Sequence, residues 1–168
     1  MKLSHMLRLF MPLCLLISIG TSAQSAKEEK KKAQYAQLKS LIESRQYTFN
    51  AQSAMPASGK TRYLTSLYTL KVRQDSLDAD LPYFGRAYTA TPGDTNGGIN
   101  FISTSFSYDA KEAKDGGWLI LISPKDEKNA NKMQLSITSS GYATLQVSSN
   151  YRQMISFYGQ ISGNSKHK

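Results

Sequence analysis

From Tyr47 onward, apolar residues alternate with polar ones in short runs separated by clusters of Gly, Asn, Asp and Ser. Such alternation over four to eight residues is typical of a strand with one buried face. The run 118–122 is apolar throughout, which predicts a central strand covered on both faces. The pattern predicts strands over 47–52, 64–73, 81–89, 99–108, 118–122, 133–138, 142–147 and 154–161, with 75–80 as a polar turn and 91–98 as a loop.

The connections between the predicted strands are mostly short, and this favours consecutive antiparallel hairpins. The predicted fold is therefore mainly β: an antiparallel up-and-down barrel of about eight strands over residues 47–162. A two-sheet β-sandwich is the alternative. A barrel of this size is either filled by side chains or holds one small ligand, and the pattern does not decide between the two.

Residues 24–46 predict one amphipathic helix, centred on 26–44, ahead of the barrel. The segment is rich in good helix formers, and its apolar residues Tyr35, Leu38, Leu41 and Ile42 recur three and four positions apart. The start of the segment, 27–32, is almost wholly charged. We expect the short apolar stripe to pack on the β domain; a partner-binding helix is the alternative.

The first 23 residues have the features of a signal peptide. A basic start precedes an apolar run of about eleven residues, well short of the roughly 20 that span a bilayer, and Thr21-Ser22-Ala23 supplies a cleavage site. We expect cleavage after Ala23, a periplasmic or secreted product and no transmembrane segment in the mature chain. Cys14 lies inside the apolar run rather than in a lipobox, so lipidation is not expected.

The net charge of +9 is concentrated at the ends of the chain. Residues 47–165 contain eleven lysines and arginines against nine aspartates and glutamates, a net charge of only +2. A solvated helix and a disordered basic tail, 163–168, explain the remainder. We therefore expect no nucleic-acid partner.

The mature chain lacks most of the side chains that catalysis needs. Cleavage removes the single cysteine, and the remaining histidine is His167 in the tail. No Ser-His, Cys-His or histidine-metal site can be assembled, so the sequence predicts neither an enzyme nor a cofactor. Asp75, Asp78 and Asp80 could bind calcium or act as catalytic carboxylates, but turn aspartates are usually solvated or bonded to backbone amides.

The most unusual segment is 81–88, Leu-Pro-Tyr-Phe-Gly-Arg-Ala-Tyr. One interpretation is a recognition strip in which Arg86 binds an anion while Tyr83 and Tyr88 stack on a ligand. The structural interpretation has Pro82 opening an edge strand, Gly85 allowing close backbone approach and Arg86 paired with a carboxylate such as Asp75 or Asp80. The candidate ligand-binding residues are Tyr83, Arg86, Tyr88, Phe106 and Tyr108.

Four segments together resemble a family of exported domains of unknown function common in Bacteroidota-type bacteria: 81–88, 97–101 (Gly-Gly-Ile-Asn-Phe), Gly117-Trp118 and 150–159. The resemblance covers about residues 41–161. It implies a periplasmic or envelope location and a lipocalin-like barrel, with no established activity to transfer. Members of the family are often lipoproteins, so the missing lipobox leaves membrane attachment open.

Two functions remain in competition. The first is a periplasmic binding protein that holds a small apolar or amphipathic ligand inside the barrel. The second is an envelope protein with a filled barrel, which binds a protein partner through its surface, its helix or an exposed strand edge. A tightly filled interior would contradict the first.

Overall fold

The computed structural model describes residues 21–88, 97–128 and 130–164. It contains one helix, α1 (Thr21–Ser44), and nine strands. The strands are β1 (Tyr47–Pro56), β2 (Arg62–Val72), β3 (Leu77–Leu81), β4 (Ile99–Ser103), β5 (Phe106–Glu112), β6 (Trp118–Pro124), β7 (Lys132–Ile137), β8 (Tyr142–Ser148) and β9 (Ile155–Gly163). Most of the predicted signal peptide (1–20), most of the predicted loop (89–96) and the tail from 165 lie outside the described residues.

The strands form one antiparallel sheet in the order β4-β3-β2-β1-β9-β8-β7-β6-β5. Neighbours in sequence are neighbours in the sheet, as in an up-and-down meander, and the pairing of β1 with β9 joins the first strand to the last. The sheet is interrupted between β4 and β5, although only two residues separate them in the chain. The result is a nearly closed barrel, which confirms the predicted fold class with nine strands rather than about eight.

Alternate residues of each strand fill the barrel. The side chains of Phe49, Leu70, Ile120, Leu145 and Phe157 are completely buried. Burial of each aromatic or branched aliphatic side chain of this size contributes about 1.5–3 kcal/mol of transfer free energy. The largest fully buried residues together come from α1 and seven strands: Ile42, Tyr47, Phe49, Leu70, Leu77, Leu81, Ile99, Ile120, Ile122, Met133, Leu135 and Phe157. The centre of the barrel is therefore a packed core.

Three predicted elements were wrong. The stretch predicted as a turn is strand β3, in which buried Leu77, Ala79 and Leu81 alternate with aspartates. The stretch 82–88, predicted as a strand, forms only an isolated bridge, Ala87 to Arg152. The predicted strand 99–108 is two strands, which part at Thr104 and Ser105.

A carboxylate holds the break between β4 and β5. Asp126 accepts hydrogen bonds from the Ser103 hydroxyl and from the Thr104 amide. The Lys125 amide donates to the Ser105 carbonyl at 2.7 Å. These bonds tie the corner to the end of β6 and lower the pKa of Asp126, chiefly through the Ser103 hydroxyl. The chain can thus change direction without leaving these polar groups unpaired.

The chain divides into two compact units, one ending at Ala33 and one beginning at Gln34. In the first, 26–33 is an exposed charged helix. In the second, Leu38 and Ile42 are buried in the barrel's core cluster, which confirms the predicted apolar stripe.

α1 ends in a Schellman motif. The Gln46 amide donates a hydrogen bond to the Leu41 carbonyl, and the Arg45 amide donates one to the Ile42 carbonyl. Arg45 has the left-handed backbone conformation that this motif requires, with φ at 53°.

No helix within the described residues is long and apolar enough to span a bilayer.

The β1–β9 pairing needs glycine at position 159. A Cβ placed there would lie 2.0 Å from the carbonyl oxygen of Asn50. We therefore expect Gly159→Ala to force the two strands apart and to lower the free energy of unfolding by at least about 2 kcal/mol. Urea titration followed by circular dichroism measures the change.

Gly163→Ala is the matched control on the same strand. Its Cβ would meet Leu41 at an ordinary 3.5 Å. We expect its unfolding midpoint to stay close to the wild-type value. Equal stability of the two variants would contradict the assigned role of Gly159.

Candidate functional site

The segment 82–88 lies across one end of the barrel and is fastened to the turn between β8 and β9. The Tyr83 hydroxyl is placed to donate to the carbonyls of Arg86 and Gln153, at 2.9 Å each. Gln153 N–H donates to Arg86 C=O, and Tyr88 N–H donates to Tyr151 C=O. The segment is therefore a strap held mainly by backbone groups.

Gly85 allows the strap to form. A Cβ at this position would lie 2.4 Å from the Tyr83 hydroxyl oxygen. The tyrosine ring can thus fold back over the glycine and reach the carbonyls that it bonds. This agrees with the structural interpretation of Gly85 as a point of close approach.

Arg152 is the buried cation beneath the strap, and its side chain is only 6% exposed. It donates to the carbonyls of Gly97 and Gly98, at 3.2 and 2.7 Å, and its guanidinium carbon lies 5.1 Å from the centre of the Tyr83 ring. It thereby joins three segments that are distant in sequence. Sequence reasoning had favoured Arg86 as the important arginine of this region.

The side chains of Arg86 and Tyr88 are exposed. Among the described residues Arg86 forms no ion pair, and in particular it pairs with neither Asp75 nor Asp80. Asp75 instead accepts a hydrogen bond from Ser76, and a neighbouring acid, Asp78, pairs with Lys71 at 3.2 Å. No group of three metal-ligating side chains comes together in the described part of the chain.

Tyr108 lies near the other end of the barrel, where α1 passes into β1. Its hydroxyl is 3.2 Å from that of Tyr47, and the Arg45 guanidinium lies 4.6 Å from the centre of its ring. Burial raises the pKa of Tyr47 well above its usual value, and the neighbouring Tyr108 raises it further. Burial also raises the pKa of Tyr108.

A second polar cluster fastens α1 to the end of β5. The Tyr35 hydroxyl donates to Glu112, and Lys39 forms an ion pair with the same carboxylate at 3.5 Å. The hydrogen bond from Tyr35, followed by the charge of Lys39, lowers the pKa of Glu112. The cluster thus holds the helix against the barrel end.

None of three concavities lined by described residues includes any of the five predicted ligand-binding residues. Tyr83, Arg86 and Tyr88 belong to the strap at the β8–β9 turn, and Tyr108 bonds to Tyr47 at the opposite end of β1. Phe106 is half-buried at the start of β5 and packs against the core.

A different concavity lies on the outside of the barrel, over β6–β9, with a volume of about 550 Å³. A row of paired residues on neighbouring strands crosses it: Leu119 lies opposite Ser136, Ser136 opposite Thr144, and Thr144 opposite Tyr158. Two small hydroxyl residues lie between two large side chains, and this difference in size makes the hollow. We call it the outer groove. Its lining also includes Gln52, Asp115, Trp118, Thr138 and Tyr142.

Sequence reasoning missed the outer groove because it assigned outward-facing positions to solvent. The strand alternation contained a sign of the groove. Tyr142 and Tyr158 fall at outward-facing positions, where polar residues are expected, yet both are large aromatic residues. They are 56% and 40% exposed. The pairing of β8 with β9 was needed to show that the two are neighbours.

A family model described as "Domain of unknown function (DUF4251)" matches residues 29–161. The fold is similar to the crystal structure of a DUF4251 family protein from Bacteroides eggerthii, with a TM-score of 0.56, 17% sequence identity and coverage of 78% of this chain and 88% of that one. At that identity the likeness concerns the fold alone. No curated protein matches the chain.

The buried tyrosine pair predicts loss of stability at alkaline pH. Unfolded tyrosines lose their protons near about pH 10, whereas Tyr47 and Tyr108 have raised pKa values in the folded state. Their contribution is fully present below pH 10 and is lost as the pH rises through the folded-state pKa. We expect Tyr47→Phe to flatten this fall in urea titrations between about pH 8 and pH 11.

Tyr63→Phe serves as the control, because Tyr63 is 87% exposed. Its pH profile should follow that of the wild type above pH 8. A Tyr47→Phe profile as steep as that of the control would contradict the role of the buried pair.

The two arginines of the strap region should differ in their effect on stability. Arg152→Ala removes a buried guanidinium and its hydrogen bonds to the carbonyls of Gly97 and Gly98, and should lower the free energy of unfolding by about 2–3 kcal/mol. Arg86→Ala should change it by less than about 0.5 kcal/mol, because the side chain is exposed. Thermal unfolding of both variants tests this, and a larger effect at Arg86 would reverse the assignment.

Proposed function

The chain belongs to the DUF4251 family of domains of unknown function, and from that premise we propose that it is an exported, non-catalytic protein of the cell envelope that binds a protein partner through its surface. The packed interior of the barrel is the observation that carries the proposal. Large side chains at the centre are fully buried, so a ligand bound at the centre would have to displace them.

Export is supported by the start of the sequence. A basic beginning, a short apolar run and the small residues Thr21-Ser22-Ala23 form the pattern of a cleaved secretory signal. Removal of residues 1–23 also removes the single cysteine, so the mature fold needs no disulfide in an oxidising compartment. The barrel core is large enough to be stable without one.

The protein partner is proposed to bind at the free edge of β2. The pairing of β2 with β3 covers only Thr69–Val72. Within the described residues no strand pairs with the β3 side of 62–68. An unpaired strand edge presents a row of N–H and C=O groups, to which an extended segment of another protein can add as a further strand.

The side chains at this edge support the same proposal. Tyr63 is 87% exposed and Leu67 is 77% exposed, although both belong to a strand. The register with β1 also breaks here: Ala51 lies opposite Tyr68 and Ser53 lies opposite Tyr63, so four residues of β2 bulge opposite Gln52. Large apolar side chains beside an open edge suit a protein partner, which can bury them while it supplies the missing hydrogen bonds.

The proposal predicts the mass of the mature protein. When the protein is purified gently from the envelope of its own cells, its denatured mass should correspond to a chain that begins at Gln24. Its native mass should contain no small molecule. A co-purified small molecule that leaves on denaturation would contradict the surface-binding proposal, and an uncleaved chain would contradict export.

The edge itself can be tested by placing a photo-crosslinking amino acid at position 67 in living cells. We expect a crosslink to a protein partner, together with slowed amide exchange of 62–68 in the purified complex. Position 102 is the matched control, because Ile102 is 74% exposed on β4. Crosslinking from 102 alone, or unchanged exchange of 62–68, would contradict binding at this edge.

A further inference from the structure

We propose that the outer groove is a binding site for an uncharged oligosaccharide. It lies over β6–β9, and its lining combines exposed aromatic rings, hydroxyl groups and an amide with few charges. A sugar has the matching chemistry: each ring has an apolar C–H face, and its rim carries hydroxyl groups that both donate and accept hydrogen bonds.

Two tyrosines form the aromatic part of the site. Tyr142 pairs in register with Gln160, and Tyr158 pairs with Thr144, so the tyrosines are diagonal neighbours on one face of β8 and β9. Diagonal neighbours in antiparallel strands are about 7–8 Å apart. The strands hold both rings on the same rigid surface, partly open to solvent. Such a pair suits contact with consecutive units of a sugar chain.

Hydrogen-bonding groups form the floor beside the rings. Ser136 and Thr144 lie opposite each other in the row of paired residues that crosses the groove. Gln52 adds an amide: Ala51 lies opposite Gly159 and Ser53 opposite Tyr158, so Gln52 is an extra residue that bulges from β1. Hydroxyl and amide groups can each donate and accept, which matches the mixed character of sugar hydroxyls. A purely apolar ligand would leave these groups without partners.

The charge of the lining argues against an anionic ligand. Neither lysine nor arginine occurs among the described residues that line the groove, and the charged residue that does is Asp115. Its carboxylate accepts a hydrogen bond from the Gly117 amide at 3.1 Å. Lipid headgroups and phosphorylated ligands are usually bound by basic side chains, so this groove does not suit them.

Trp118 makes the site observable. It is the single tryptophan of the chain, lines the groove, and is 8% exposed. Its indole Nε1 is buried with no hydrogen-bond partner among the described residues. Because Trp118 lies at the edge of the groove, its fluorescence should respond when a ligand occupies the groove.

This inference goes beyond the proposed function, since it concerns another surface and another class of ligand. The β2 edge and the outer groove have different residues, so one can fail while the other holds. Tyr63 belongs to the edge, whereas Tyr142 and Tyr158 belong to the groove. Each surface therefore supplies the control variant for the other.

The test is a titration of the purified mature protein with uncharged tetrasaccharides of glucose and of N-acetylglucosamine, followed by tryptophan fluorescence and calorimetry. We expect saturable binding of at least one of them. Tyr142→Ala and Tyr158→Ala should each weaken it by at least about tenfold, whereas Tyr158→Phe, which keeps the ring, should retain most of the affinity. Tyr63→Ala should bind like the wild type.

Several results would overturn the inference. One is the absence of saturable binding to either tetrasaccharide by a protein whose thermal unfolding shows that it is folded. Another is an equal loss of affinity in Tyr63→Ala, which would place the sugar elsewhere. Tighter binding to anionic phospholipid vesicles, with loss in Tyr158→Ala, would assign the groove to a membrane surface instead.

Discussion

The pairing of β1 with β9 is the constraint on which the rest of the structure depends. It runs from Tyr47 opposite Gly163 to Pro56 opposite Ile155, and it joins two strands about a hundred residues apart in the chain. Without it, the nine strands would separate into two antiparallel sheets, β4-β3-β2-β1 and β9-β8-β7-β6-β5. Gly159 lets the two backbones approach at the bulge, where any side chain would strike Asn50. The packed interior follows from this closure.

Both ends of the barrel are covered by parts of the same chain. The second half of α1 places Leu38 and Ile42 in the core at one end, and the strap 82–88 lies over the other, above the buried Arg152. The strap contains Tyr83, Arg86 and Tyr88, three of the five residues that the sequence predicted to bind a ligand. Both surfaces proposed for recognition lie on the outside of the barrel: the edge of β2 and a groove made by differences in side-chain size.

The fold could be predicted from the sequence because barrel strands alternate, and alternation is a local property. The helix stripe was equally local, since Leu38 and Ile42 are four positions apart. The strand β3 was missed because its outward residues Asp78 and Asp80 resemble turn residues. The site was harder to predict, since Tyr142 and Tyr158 become neighbours only through the register of β8 and β9. Likewise, nothing near Arg152 in the sequence indicates that it lies under Tyr83.

The strand order also determines how much of the chain must be available before the barrel can close. β1 finds its second neighbour only in the last strand, so the barrel cannot close until nearly the entire chain is available. Contacts between such distant segments form slowly, because a long loop must be closed before any pairing energy is gained. For a chain that is exported as proposed, this delay is useful. The polypeptide stays open and can be threaded through a membrane pore, and it gains its final stability only after β9 has emerged.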